Sequence, residues 1–334
     1  MKIAIVITVK DEERLLQNNF LYHHFIGVDK IYVYFDNSSD GGRKSIENLS
    51  FVEVNNSVEV STYQGIDFLE KFTSQANEHH TARQCLNTYH ASEKCKEQGI
   101  NWLISLDADE LICSSLKSKS DLKSFFSEIN EDIDVVNFRV FEALQDREFF
   151  GNVFAEATTF KTQFKFKNKW ERVYKYIENP FLKQPIRYSY WYGQHLGKGA
   201  IRIGEDIISH NVHRYKKKSG GKIVLQDAGY ILHYHAYDTT DFIKKFTNFK
   251  KHPNTFLSGS KVDSLKILLR DVVNTLDLSK EELDTYFRNN LLFSAKEIKK
   301  LKSNKVFGLF KRNENALVEI ISVSQVFNEL DKKR

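Results

Sequence analysis

The first 112 residues alternate short, β-branched apolar runs with helical stretches, a pattern that commits a chain to an α/β architecture with a mostly parallel sheet flanked by helices. Residues 3–8 are continuously apolar or β-branched, as expected of a strand buried on both faces. Residues 31–35 form a second such run, 51–54 and 58–63 suggest two short strands, and 101–106 read as the next buried strand. Between the first two runs, Asp11 is a candidate N-cap, Glu12 and Glu13 oppose the helix dipole, and Gly27 is placed to end the helix. A polar helix is expected over 74–98, with Ala82, Cys85, Leu86 and Tyr89 as its apolar stripe. Ligands of such sheets bind beyond the carboxyl ends of the strands, so residues 8–12, 36–40 and 107–110 are expected to converge on one edge.

Further on, 133–140 reads as a strand, 145–200 is aromatic and irregular, and 201–203 and 230–235 are short strands. From 238 the pattern turns helical, and 263–331 is a Lys- and Leu-rich stretch of about three helices. The expected organisation is a catalytic unit over 1–252, with a nucleotide-binding half (1–112) and an acceptor half (113–252), followed by a helical extension over 253–334. With 49 Lys and Arg against 44 Asp and Glu, the net charge of +5 is too dispersed for a nucleic-acid groove. Cys85, Cys95 and Cys113 have no paired spacing, so they read as reduced structural thiols. No run approaches the ~20 apolar residues of a spanning helix, so a cytoplasmic protein is expected. The basic stretch 296–312, with Phe307, Leu309 and Phe310, suggests peripheral contact with an anionic membrane.

Chemistry gathers at a few short motifs. Asp107-Ala108-Asp109-Glu110 begins where a buried strand runs out, and carboxylates two residues apart can share a divalent cation. Such a cation would bridge diphosphate oxygens and neutralise the charge on a departing nucleotide. Asp36 ends the second strand, where a carboxylate can accept from a base or ribose, although Asp36-Asn37-Ser38-Ser39-Asp40-Gly41-Gly42 is also good turn chemistry. Arg83, on the preceding helix, could meet a phosphate bidentately. His233-Tyr234-His235 on a predicted strand would point two imidazoles to one face, and either could join Asp109 around a metal, favouring Mn²⁺ over Mg²⁺. A pair of hydrogen-bonded core histidines is the structural alternative. Gly197-Lys198-Gly199 and Lys216–218 with Gly220-Gly221 read as flexible basic loops, without the spacing of a P-loop.

Together these motifs resemble bacterial family 2-like glycosyltransferases and their relatives in family 92, of the glycosyltransferase A fold. The resemblance rests on Val9-Lys10-Asp11-Glu12, Tyr22-His23-His24 with Gly27-Val28-Asp29, residues 34–41, Trp102, and residues 107–111. Gly197-Lys198, His213, Leu232-His233-Tyr234, Phe242 and Lys245 continue it, so that it covers residues 1–252. It implies that Thr8, Glu12 and Asp36 line a nucleotide pocket, that Asp107 approaches ribose or metal, that Asp109 binds the metal, and that His233 is a candidate third ligand. Asp11 departs from the family's usual Asn. An inverting reaction needs a carboxylate base; Asp206, in a Glu205-Asp206 pair, competes for that role with Glu142 and Asp146. The expected activity is transfer of a sugar from a nucleotide-sugar, a UDP-sugar first of all, to a cell-surface glycan or glycolipid precursor. Residues 170–192 offer aromatic faces for acceptor rings. Two other readings stand beside it: a metallohydrolase using His233, His235 and a carboxylate, and a non-catalytic glycan-binding module.

Overall fold

The computed structural model describes residues 1–162, 196–204, 206–262, 264–303, 305–306, 309–311 and 315–333. Its frame is a ten-stranded sheet. The strands of the first half are β1 (Ile3–Val9), β2 (Lys30–Phe35), β3 (Val52–Asn56), β4 (Trp102–Leu106) and β5 (Glu110–Cys113). The second half adds β6 (Val135–Ala143), β7 (Thr159–Lys161), β8 (Gly199–Arg202), a hairpin of β9 (Ile207–Asn211) and β10 (Arg214–Lys217), and β11 (Leu225–His233). The strands β4, β1, β2 and β3 lie side by side and parallel. Every residue of β1 is buried, which explains its unbroken apolar run, since both of its faces are covered.

Beyond β4 the pairing becomes mixed. β8 runs antiparallel between β4 and β6, and β11 pairs parallel with β6 and antiparallel with β5. The parallel set lies wholly within residues 1–112.

Several boundaries differ from the sequence reading. Residues 60–63 form a 3₁₀ turn rather than a strand. The long helix is His80–Glu97, because residues 74–79 break into turns after a short helix at Glu70–Thr73. Asp11 does not cap the first helix, Glu13–Phe25: it sits at φ +55°, and the Glu13 amide donates instead to Asp40 across the loop. Asp and Asn both tolerate this left-handed conformation, so the departure from Asn at this position is conservative in backbone terms.

Residues after 252 are helical at Ser264–Asn274, Lys280–Asn290 and Ala295–Ser303, but the chain then returns to the main body. β12 (Lys305–Val306) and β13 (Phe310–Lys311) form a short ribbon, and β14 (Leu317–Glu319) extends the sheet beside β7. The helix Ser322–Lys333 buries Val323, Val326 and Phe327 in the central core, with Phe327 stacked on Tyr22 at 5.9 Å. No helix among the described residues is long and apolar enough to cross a membrane. Phe307 and Arg312 of the basic stretch, and the aromatic residues Trp170, Tyr188, Tyr190, Trp191 and Tyr192, lie outside the described residues.

Candidate active site

The site forms at the carboxyl ends of β1, β2 and β4, and the helix Glu13–Phe25 fastens its central loop. Asn19 Nδ2 donates to the carbonyls of Ala108 and Glu110 at 2.9 Å each, and Tyr22 donates to Ile112 O. Burial pushes His23 down to about 3, so the ring is neutral. Its Nδ1 donates to Asn19 O, and its Nε2 accepts from the Ile112 amide at 3.1 Å, an assignment set by the network around it. The buried face of this helix therefore holds the backbone of residues 108–112 rigidly.

Asp107 projects from the end of β4 with a side chain 33% exposed. It accepts from Gln84 Nε2 and from Lys198 Nζ, both at 2.8 Å, while its amide donates to Glu110 Oε2. Burial would raise its pKa, but the Lys198 ammonium outweighs this and holds the carboxyl below its usual range. Lys198 itself is buried, and Gly197 sets its position: a Cβ there would lie 1.9 Å from Phe138 O. The Gly197-Lys198-Gly199 segment is thus a fixed entry to β8 rather than a flexible loop, a correction that follows from this close backbone approach. His213 Nδ1 donates to Gly197 O, 3.2 Å away, beside the same pair.

Asp109 meets β11. The Tyr234 amide donates to Asp109 O, and His233 Nε2 stands 3.4 Å from Asp109 Oδ2, which also bonds Lys245 Nζ. β11 ends at His233, so His235 lies past the strand, with Ala236 at φ +43° following it. The two imidazoles still converge, their centroids 5.3 Å apart. Ligand atoms of Asp109, His233 and His235 all lie within 4.8 Å of one another. His233 Nδ1 and Glu110 Oε1 are buried and have no hydrogen-bond partner among the described residues. Burial holds His235 well below its ordinary range, leaving it neutral and able to ligate.

At the end of β2, Asp36 is buried and accepts from Arg83 Nε at 2.8 Å and His80 Nδ1 at 2.5 Å. Burial opposes its ionisation, yet these two partners win and lower it to about 2. Arg83 pairs with Asp36 and also donates to Ala76 O. Thr8 is buried, its hydroxyl accepting from Asn87 Nδ2 at 2.9 Å.

The helix Thr239–Asn248 crosses this edge and supplies residues to which the sequence reading gave no role. Lys244 bonds Glu12 at 2.5 Å and Asp241 at 2.9 Å, Lys245 bonds Asp109, and Asn248 donates to Lys10 O. The available signal was a good N-cap, Asp238, followed by Lys at its sixth and seventh residues.

The three candidate bases are placed differently. Glu142 is buried against Lys161 at 3.0 Å, in register with His233 on the neighbouring strand. Asp146 follows Gln145, whose amide donates to His235 O. Asp206 is 47% exposed and accepts from the Ser219 amide at the far end of the β9–β10 hairpin.

Burial also pushes Glu12 and Glu110 up to about 7. In the unfolded chain both ionise near 4.5, so across that window the folded protein holds protons that the unfolded chain has released. Stability is then expected to fall as pH rises from 4.5 to 7. Glu12→Gln should flatten that slope in urea unfolding at fixed pH values. An unchanged slope would show that Glu12 is not a buried acid.

With this geometry in place, comparison with known proteins is decisive at one point. The family model of glycosyltransferase family 92 matches residues 11–262. The chain belongs to glycosyltransferase family 92. The match spans every site element from Asp11 to the lysine helix. Two glycosyltransferase-like proteins of Arabidopsis thaliana are similar to it. One is 27% identical over 254 residues, 70% of this chain and 47% of the relative. The other is 26% identical over 247 residues, 70% of this chain and 54% of the relative. The family 92 chain thus spans about half the length of each relative. Among solved structures, S. aureus TarS 1–349 aligns at 12% identity over 94% of this chain and 76% of its own, with a TM-score of 0.34. Glucosyl-3-phosphoglycerate synthase from Mycobacterium tuberculosis, solved with Mg²⁺ and uridine diphosphate, aligns at 12% over 75% and 80%, with a TM-score of 0.32.

Proposed function

We propose that this family 92 chain transfers a sugar from a UDP-sugar to a hydroxyl of a cell-surface glycan precursor, with a divalent cation held by Asp109, His233 and His235. The observation that carries this is the convergence of those three donors at the strand ends, next to Lys198 and Lys245. One carboxylate and two imidazoles suit Mn²⁺ better than Mg²⁺, and the buried Nδ1 of His233 has no hydrogen-bond partner among the described residues. When bound, the cation supplies charge neutralisation at the leaving diphosphate.

The chain's own residues do the rest. Lys198 balances Asp107 and presents positive charge where diphosphate oxygens arrive. The fixed Asp36, Arg83 and His80 array offers N–H groups and a carboxylate to the nucleoside. For an inverting reaction, Asp146 is the favoured base. Glu142 is neutralised by buried Lys161, and Asp206 is committed to its hairpin turn, whereas Asp146 is partly exposed directly beside the residue that holds His235.

The test is titration calorimetry with a panel of nucleotide-sugars, with and without Mn²⁺. Binding confined to UDP-sugars and dependent on Mn²⁺ is expected. Phosphoesterase turnover without nucleotide affinity would instead favour a hydrolase built on the same three donors.

A further inference from the structure

Lys245 places a cation directly on the carboxylate that the proposed metal would occupy. Its Nζ bonds Asp109 Oδ2, the same oxygen that His233 Nε2 approaches at 3.4 Å. A divalent ion ligated by that oxygen and an ammonium hydrogen-bonded to it would repel one another at close range, in a pocket with little water to screen them. Moving the ammonium away relieves that repulsion.

A second position for the ammonium already exists. Asp241 lies four residues earlier on the same helix, the spacing and order at which an acid and a following lysine meet on a helix surface. Asp241 Oδ1 is taken by Lys244 at 2.9 Å, but Asp241 Oδ2 is buried and has no hydrogen-bond partner among the described residues. A buried carboxylate oxygen without a donor is costly, and Lys245, one turn further along the helix, already feels the charge of that carboxylate.

We propose that Lys245 is a two-position cation, seated on Asp109 when the metal position is without its ion and on Asp241 Oδ2 when a divalent cation is bound. This rests on the metal reading above and deepens it: the site carries a built-in surrogate that keeps Asp109 neutralised between turnovers. The exchange also sets metal affinity, because each ion that binds has to displace an internal competitor.

Free Mn²⁺ measured by electron paramagnetic resonance during titration of the whole chain tests this without any turnover. Lys245→Met is expected to bind Mn²⁺ about tenfold more tightly than the unaltered protein, since nothing has to be displaced. Asp241→Asn is expected to bind it more weakly, because the displaced ammonium loses its second seat. In the double variant the Asp241→Asn effect should vanish, which a merely structural role for Asp241 would not produce. The two single variants shift affinity in opposite directions, so general loss of fold cannot mimic the pattern. Normal uptake by the unaltered protein with unchanged or weaker affinity in Lys245→Met overturns the proposal alone. Uptake by Lys245→Met only supports it, and no uptake by either protein overturns both the proposal and the metal reading.

Discussion

Asp109→Asn is expected to abolish Mn²⁺-dependent UDP-sugar binding and to lower turnover by at least about a thousandfold, the loss of several kcal/mol of charge stabilisation at the leaving group. Asn is chosen because it keeps the size of the side chain and an acceptor for Lys245 and His233 while removing the anion. The backbone should hold, because the Asp109 carbonyl, which accepts from Tyr234, and the neighbouring carbonyls fastened by Asn19 are untouched. Calorimetry with Mn²⁺ and UDP-sugar provides the check. A variant that still binds the donor in a Mn²⁺-dependent way, within about threefold of the unaltered protein, would remove Asp109 from the metal site.

Asp238→Ala is expected to cost about 3 kcal/mol of folding stability, toward the lower end of what losing one partner of a buried ion pair costs. Asp238 is fully buried and does three things at once. Its Oδ1 caps the helix Thr239–Asn248 through the Asp241 amide, its carboxylate receives both terminal nitrogens of Arg14, and Oδ2 accepts from the Phe150 amide. Arg14 is partly exposed and keeps its bond to Phe150 O, so the loss stays below that of a wholly buried pair. Asp238→Asn, which preserves the cap, should cost markedly less. Urea unfolding of the two variants reads the difference directly, and equal costs would show that the cap contributes nothing. Because this helix carries Lys244 and Lys245, Asp238→Ala should also weaken donor binding before the protein unfolds.

How far the sequence reaches depends on how local the cause is. β1, β2 and β4 are legible because a strand buried on both faces needs a continuous apolar run, and each places a polar residue at its end. That logic brought Asp36, Asp107 and Asp109 to one edge. Residues 60–63 were misread because Val and Tyr favour strands in general, and only the surrounding packing makes them a 3₁₀ turn. β5 escaped notice because four residues are too few to show a period, yet β5 is what pairs with β11 and carries Asp109 to His233. Lys244 and the partner of Lys245 could not be assigned from sequence, since a lysine on an amphipathic helix looks solvated until the partner strand ends are known. His233 and His235 do converge, although His235 lies just past the end of the strand expected to carry both.

The insertion of β8 between β4 and β6 has a kinetic meaning. During synthesis β4 is finished at Leu106, but the strand that covers its free edge begins only at Gly199. Until then the nascent chain carries an unpaired, apolar strand edge that another chain could join. The same late segment brings Lys198, so Asp107 acquires its counter-charge at the moment the edge closes. Completion of the sheet and assembly of the Lys198–Asp107 pair are thus one folding event, and long sequence separation makes it a slow one.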